Sequence, residues 1–185
     1  MELHDYLRYY NLENYLLTEV SASFQKNKTL TPEEFLAIII WKSERSKTDV
    51  LTGLCALGES VQDLMTCVSE ACDLDKVKIL SGVEGMGIPI ASAVLTVCYP
   101  REFTVVDKRA CAALAKLLGM DQKALRKQLG GDPAGKPEAY LAYVEKCKAE
   151  SASRGVELRT FDRMLWGMDF YEGKGGLKEL AARMK

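Results

Sequence analysis

The sequence has a single histidine, His4, and its six cysteines never fall at C-x-x-C spacing. A histidine-based metal site or triad is thereby nearly excluded, and neither a zinc ribbon nor a disulfide framework is suggested. The cysteines, at positions 55, 67, 72, 98, 111 and 147, mostly sit in apolar helical surroundings. Fourteen glycines and five prolines are too few for a collagenous or low-complexity chain. Long hydrophobic runs are missing as well. The longest stretch without a charge, residues 85–100, contains two Gly and two Pro and is shorter than the roughly 20 apolar residues of a spanning helix, so no membrane span is expected. The first residues, Met1-Glu2-Leu3-His4-Asp5, carry acids where a signal peptide is basic, and a cytoplasmic or nucleoid protein is expected. Neither sign of charge dominates, with Lys+Arg 25 against Asp+Glu 26 and a net charge of −1. Any binding to phosphate must therefore be local. What chemistry there is must rest on carboxylates, lysines, hydroxyls, thiols or backbone amides.

The 185 residues, 48% hydrophobic, are enough for one globular domain or two small lobes sharing a core. Leu12, Tyr15, Leu16, Val20 and Phe24 recur at three- and four-residue steps, which makes one apolar face of a helix over 12–26. Thr31-Pro32-Glu33-Glu34 supplies an N-cap, a first-turn proline and a capping-box Glu. The helix it opens runs to about 42–45 and is apolar nearly all round, hence expected to be buried. Further helical patterns cover 48–57, 60–72, 75–81, 89–98, 108–118, 122–129, 137–152, 159–167 and 176–184; only Phe103-Thr104-Val105-Val106 reads as a strand. The expectation is an all-α fold of two lobes. Residues 28–130 would form a central lobe holding a hairpin at 77–98 and an Asp loop at 99–107. Residues 1–27 with 131–185 would form the second lobe, the Gly/Pro-rich run at 130–137 being the best linker, though short enough to be just a surface turn.

Residues 77–118 differ from generic helical sequence. A short helix, 77–83, is followed by Glu84-Gly85-Met86-Gly87 and by a second helix with Pro89 in its first turn and the small residues Ala91, Ser92 and Ala93. Glycines let the backbone turn sharply and expose N–H groups at the positive end of the second helix, a shape suited to a phosphate. After Tyr99-Pro100 and an apolar segment, Asp107 stands at the start of the next helix. The runs Leu80-x-x-Val83-x-Gly85-Met86-Gly87-x-x-x-Ala91, Pro100 and Val105-Val106-Asp107 resemble the helix-hairpin-helix (HhH-GPD) base-excision DNA glycosylases, of which the chain would be a divergent member. The match covers about 40 residues.

The resemblance implies a two-lobed helical fold with a helix-hairpin-helix motif that binds double-stranded DNA and hydrolyses the N-glycosidic bond of a damaged or modified base. Asp107 would be its catalytic carboxylate. The backbone of Gly85, Met86, Gly87, Ile88 and Ala91 would bind DNA, with a monovalent cation between hairpin carbonyls and phosphate. Pro89 stands about where strand-cutting relatives hold an imine-forming Lys, so a monofunctional enzyme without lyase activity is expected. Only Cys111 and Cys147 follow Asp107, so no iron-sulfur cluster or other metal is expected.

The residues themselves leave other readings open. Asp is a preferred N-cap, and Asp107 would serve a helix in either case. Residues 101–128 hold seven basic against three acidic side chains, so Lys108 and Arg109 are candidate DNA contacts, with Lys42 and Arg45 as further ones. Glu84 puts a negative charge in the hairpin, which opposes phosphate binding. Tyr99 and Trp166 are candidates for a base pocket or wedge; with Trp41, Phe170 and Tyr171 they otherwise read mostly as core aromatics. Cys98 and Cys111 read as small buried hydrophobes. A DNA-structure-binding protein without catalysis is the alternative to the glycosylase, and an all-α protein-interaction module is a third reading. A monomer is expected.

Overall fold

The computed structural model describes residues 7–184, so the expectations drawn from His4 and the acidic N-terminal residues lie outside the described residues. Among the described residues the fold is all-helical, without a strand. The chain divides into two compact units, Met1–Glu102 and Phe103–Lys185. This is a different division from the lobes expected above: the helices over 12–27 pack against their own neighbours in the first unit.

The first unit opens with α1 (Leu7–Tyr10) and α2 (Leu12–Tyr15), then a π-helical turn (Leu16–Val20) that leads into α3 (Ser21–Asn27). The wider turn interrupts the single regular helix expected here. Leu16, Val20 and Phe24 nonetheless stay on one fully buried face. Next comes α4 (Pro32–Ser43), and Thr31 and Glu34 form the expected capping box: Glu34 N–H donates to Thr31 Oγ1, and Thr31 N–H donates to Glu34 Oε2 at 2.8 Å. Phe35, Ile38 and Ile39 of α4 are buried, but Ile40 is exposed, so this helix is not covered all round as its composition suggests. A 3-10 turn (Glu44–Ser46) joins it to α5 (Lys47–Leu57), and α6 (Val61–Glu70), α7 (Asp73–Ser81) and α8 (Ile88–Cys98) complete the unit.

α8 is the central helix, packed against α3, α4 and α7, and every residue from Ile90 to Cys98 is buried. Its two polar side chains are satisfied within the helix. Ser92 Oγ donates to Pro89 C=O at 2.8 Å, and Thr96 Oγ1 donates to Ser92 C=O at 2.7 Å. Such back-bonding removes the cost of burying a hydroxyl, and each buried Val or Leu adds about 1.5–3 kcal/mol.

The second unit comprises α9 (Lys108–Leu117), α10 (Gln122–Gln128), α11 (Pro137–Ser153), α12 (Leu158–Glu172) and α13 (Leu177–Ala182). The segment 103–106 is not a strand, contrary to its β-rich composition. Its carbonyls are met by side chains: Tyr140 Oη donates to Thr104 C=O at 2.9 Å and Tyr143 Oη to Val105 C=O at 3.3 Å, all four residues being buried. The tyrosines of α11 thus do locally what a neighbouring strand would do. α12 continues past the expected stop at Gly167 to Glu172, while α13 is shorter than the 176–184 expected. Gly167 lies within the helix with open space around it. A helical glycine costs only about 1 kcal/mol, and the buried face of Leu158, Phe161 and Leu165 carries the helix through.

Candidate functional site

The hairpin belongs to the first unit. α7 ends at Ser81, the chain turns through residues 82–87, and α8 begins. Val83, Met86 and Ile88 are buried, whereas Glu84, Gly85 and Gly87 are exposed. Apolar side chains thus pin the hairpin inward and leave glycine backbone outside. The turn closes with Met86 N–H on Val83 C=O at 2.9 Å, and Gly85 adopts φ +79°. Gly87 is the N-cap of α8 with no side-chain cap, and Pro89 removes a donor that the first turn would leave unpaired in any case. Of the expected DNA contacts here, Met86, Ile88 and Ala91 have buried side chains, and the N–H groups of Met86 and Ala91 already donate to Val83 and Gly87 C=O.

A partner for the hairpin that the sequence reading did not identify is α5. A Cβ on Gly53 would lie 2.2 Å from Glu84 O, and one on Gly85 would lie 2.6 Å from the Asp49 carbonyl carbon. Two glycines therefore let the turn seat directly on α5. By contrast a Cβ on Gly87 would meet nothing nearer than Pro89 Cδ at 3.6 Å, and φ there is −70°. The fold demands glycine at 53 and 85 but not at 87. α5 also brings the backbone and Cβ of Asp49 against Gly85, the residue after Glu84. Arg45 is exposed and Lys42 half-buried just upstream of α5. Lys47 is paired with Glu44 at 3.2 Å. Val83 C=O takes the Met86 N–H and Gly87 C=O takes those of Ile90 and Ala91, while Glu84 C=O lies against Gly53.

Tyr99, also in the first unit, has its ring edge on Phe24, with centroids 5.2 Å apart, and Lys76 Nζ 5.3 Å from its centroid. Burial, then the neighbouring Cys98, Glu102 and Asp73, pushes its phenol up to about 12. The ring is packed as part of the unit.

Asp107 belongs to the second unit. It is the N-cap of α9: its Oδ1 accepts the Ala110 N–H at 2.9 Å, and the residue is partly exposed. A carboxylate there sits where the helix dipole favours an anion. Cys98 and Cys111 are buried, as their contexts suggest; Cys55, Cys67 and Cys72 are exposed. Lys108 and Arg109, the next residues, line an open groove of about 440 Å³ between α9 and the C-terminal end of α12. Lys116, Lys174, Asp169 and Glu172 line it too. Arg109 faces Asp169 at 3.8 Å, and Lys116 Nζ donates to Glu172 Oε2 at 2.8 Å. That ammonium holds the Glu172 carboxyl below its ordinary range. The contribution of α12 was not legible in the sequence, where Lys174 stands 66 positions from Lys108.

Trp166 is not a core aromatic. It and Phe170 are each about half exposed and stack on one another at 5.3 Å with 8° between planes, and Tyr171 is equally exposed. Trp41 is half-buried. Among the described residues no three His, Cys, Asp or Glu side chains come together as a metal site requires, and no helix is long and apolar enough to cross a membrane. No family model, curated protein or solved structure matches the chain.

Proposed function

We propose that the protein binds double-stranded DNA through the hairpin backbone and acts on it as a monofunctional glycosylase of the helix-hairpin-helix type. The observation that carries this reading is Gly87. It is exposed at the uncapped start of α8, and nothing in its backbone angle or surroundings requires glycine. A side chain is absent where a ligand's backbone would have to come close, and a helix N-terminus offers N–H groups and positive potential to a phosphate. Because Glu84 lies in the turn and Asp49 packs against Gly85, binding at the hairpin must come from directed N–H groups; Lys108 and Arg109 of the second unit are separate DNA contacts in this proposal.

In this proposal Asp107 does the chemistry. Breaking an N-glycosidic bond builds positive charge on the deoxyribose, and a carboxylate fixed beforehand stabilises that charge and orients or deprotonates the attacking water. Its hydrogen bond from Ala110 N–H supplies the fixing. Pro89 has no amine with which to form an imine, so the sugar is left as an abasic site. The second reading, a DNA-structure-binding protein without catalysis, is favoured by the same hydrogen bond, since a helix cap is by itself a sufficient role for Asp107.

Duplexes carrying a panel of oxidised, alkylated and deaminated bases test the proposal. Excision is expected on at least one, leaving abasic sites that break only on treatment with alkali or heat, with no covalent complex trapped by borohydride. Binding to these duplexes without any excision would favour the second reading, and a trapped complex would contradict the assignment of Pro89.

A further inference from the structure

Four cations and two carboxylates line the groove between α9 and α12, and they are not equivalent. Arg109 and Lys116 have Asp169 and Glu172 opposite them. Lys108 and Lys174, on the same groove, have no ion-pair partner among the described residues. The groove therefore carries two uncompensated positive charges around a space of about 440 Å³. That volume lies within the range of about 300–1,000 Å³ usual for small-ligand sites. Ala112, Ala113 and Met168 give it an apolar wall beside the charges. The long Arg109–Asp169 contact leaves further guanidinium N–H groups for a ligand, and guanidinium forks match phosphate oxygens.

We propose that this groove binds a phosphate monoester of nucleotide size. A charge balance of two selects a dianion, because a phosphate monoester carries about −1.5 to −2 near neutral pH whereas a carboxylate or a backbone diester carries only one charge. The phosphate lies between Lys108 and Lys174 within reach of Arg109, and the sugar or base lies along Ala112 and Met168. The same chemistry is offered by a free mononucleotide and by the terminal phosphate of a DNA strand. The groove lies wholly in the second unit, so this inference stands without the hairpin reading.

The test is calorimetric titration of the full chain with deoxyadenosine 5′-monophosphate, deoxyadenosine and inorganic phosphate, with amide shifts followed by NMR. The monophosphate is expected to bind, the nucleoside not to, and shifts are expected at Ala112, Gly173 and Lys174. Affinity should fall as pH drops below about 6, where the monoester dianion takes up a proton and keeps only one charge. Lys108→Ala/Lys174→Ala removes two exposed, unpaired ammonium groups and keeps both ion pairs, so its melting should match the wild type while its affinity falls at least tenfold. Oligonucleotide duplexes with a 5′-phosphate or a 5′-hydroxyl separate the two sources. Tighter binding of the phosphorylated end, lost in the double variant, identifies a strand end; no difference between the duplexes, with the monophosphate bound, identifies a free nucleotide. Either upholds the site. Equal binding of monophosphate and nucleoside, unchanged affinity in the double variant, or shifts confined to other residues would overturn it.

Discussion

Asp107→Asn is expected to lower base excision by roughly 10²- to 10³-fold while leaving the protein folded. Asn is as good an N-cap as Asp, and its side-chain oxygen can accept the same Ala110 N–H. The helix beneath it is therefore kept and its melting temperature stays close to the wild-type value. What the substitution removes is the negative charge that the proposed reaction would set against the sugar, and loss of one electrostatic stabiliser of a transition state costs on the order of 10²–10³ in rate. Single-turnover excision and thermal unfolding measured on both proteins check it. A variant that excises as fast as the wild type would place the stabilising charge elsewhere. A variant that binds DNA equally but melts much lower, beside a wild type with no excision on any substrate, would leave Asp107 only its cap.

The second large effect is on the fold. Gly85→Ala should destabilise the first unit by roughly 3 kcal/mol, from a left-handed backbone costing about 1–2 kcal/mol and overpacking costing about 1–3 kcal/mol. The new Cβ would lie 2.6–2.8 Å from Asp49 and Val50 atoms of α5, and these are backbone or Cβ atoms that cannot swing away. In a chain of this length a loss of that size lowers the melting temperature by several degrees. Gly87→Ala, a change of the same kind two residues on, should melt within about 0.5 kcal/mol of the wild type, because its φ is ordinary and its surroundings open. Thermal denaturation followed by helical circular dichroism compares the two. Equal melting of Gly85→Ala and wild type would contradict the seating of the turn on α5.

The contrast between these two glycines marks where sequence reasoning stops. Gly85 and Gly87 look alike in the chain, and only the packing of α5 separates a structural glycine from one the fold does not need. Gly53 reads as a weak point in a helix, and its reason is a carbonyl 31 residues away. Features fixed by neighbouring residues were legible: the Thr31 capping box, the proline-led start of α8 and Asp107 as an N-cap all rest on side chains within three or four positions. Features fixed at a distance were not. The segment 103–106 has β-branched and aromatic residues, yet its carbonyls bond tyrosines 36 and 38 positions on. Trp166, Phe170 and Tyr171 have the composition of a core, yet the helix that bears them buries Leu158, Phe161 and Leu165 instead. The groove brings residues 108–116 against 168–174, a pairing that no local pattern announces.

The central claim is that the exposed backbone at Gly87 meets DNA, and fluorescence anisotropy with a duplex containing an abasic-site analogue tests it most directly. Wild type and Gly87→Glu are compared at low salt, then across a salt series. Glu at this position fits the observed backbone angle and the open space, so the variant should melt as the wild type does, while its carboxylate stands where a phosphate would come. The account predicts binding by the wild type, with a slope of log K against log salt on the order of −3 to −5, and loss of binding in Gly87→Glu. Equal binding by a well-folded Gly87→Glu, or no binding by the wild type at low salt, would contradict it.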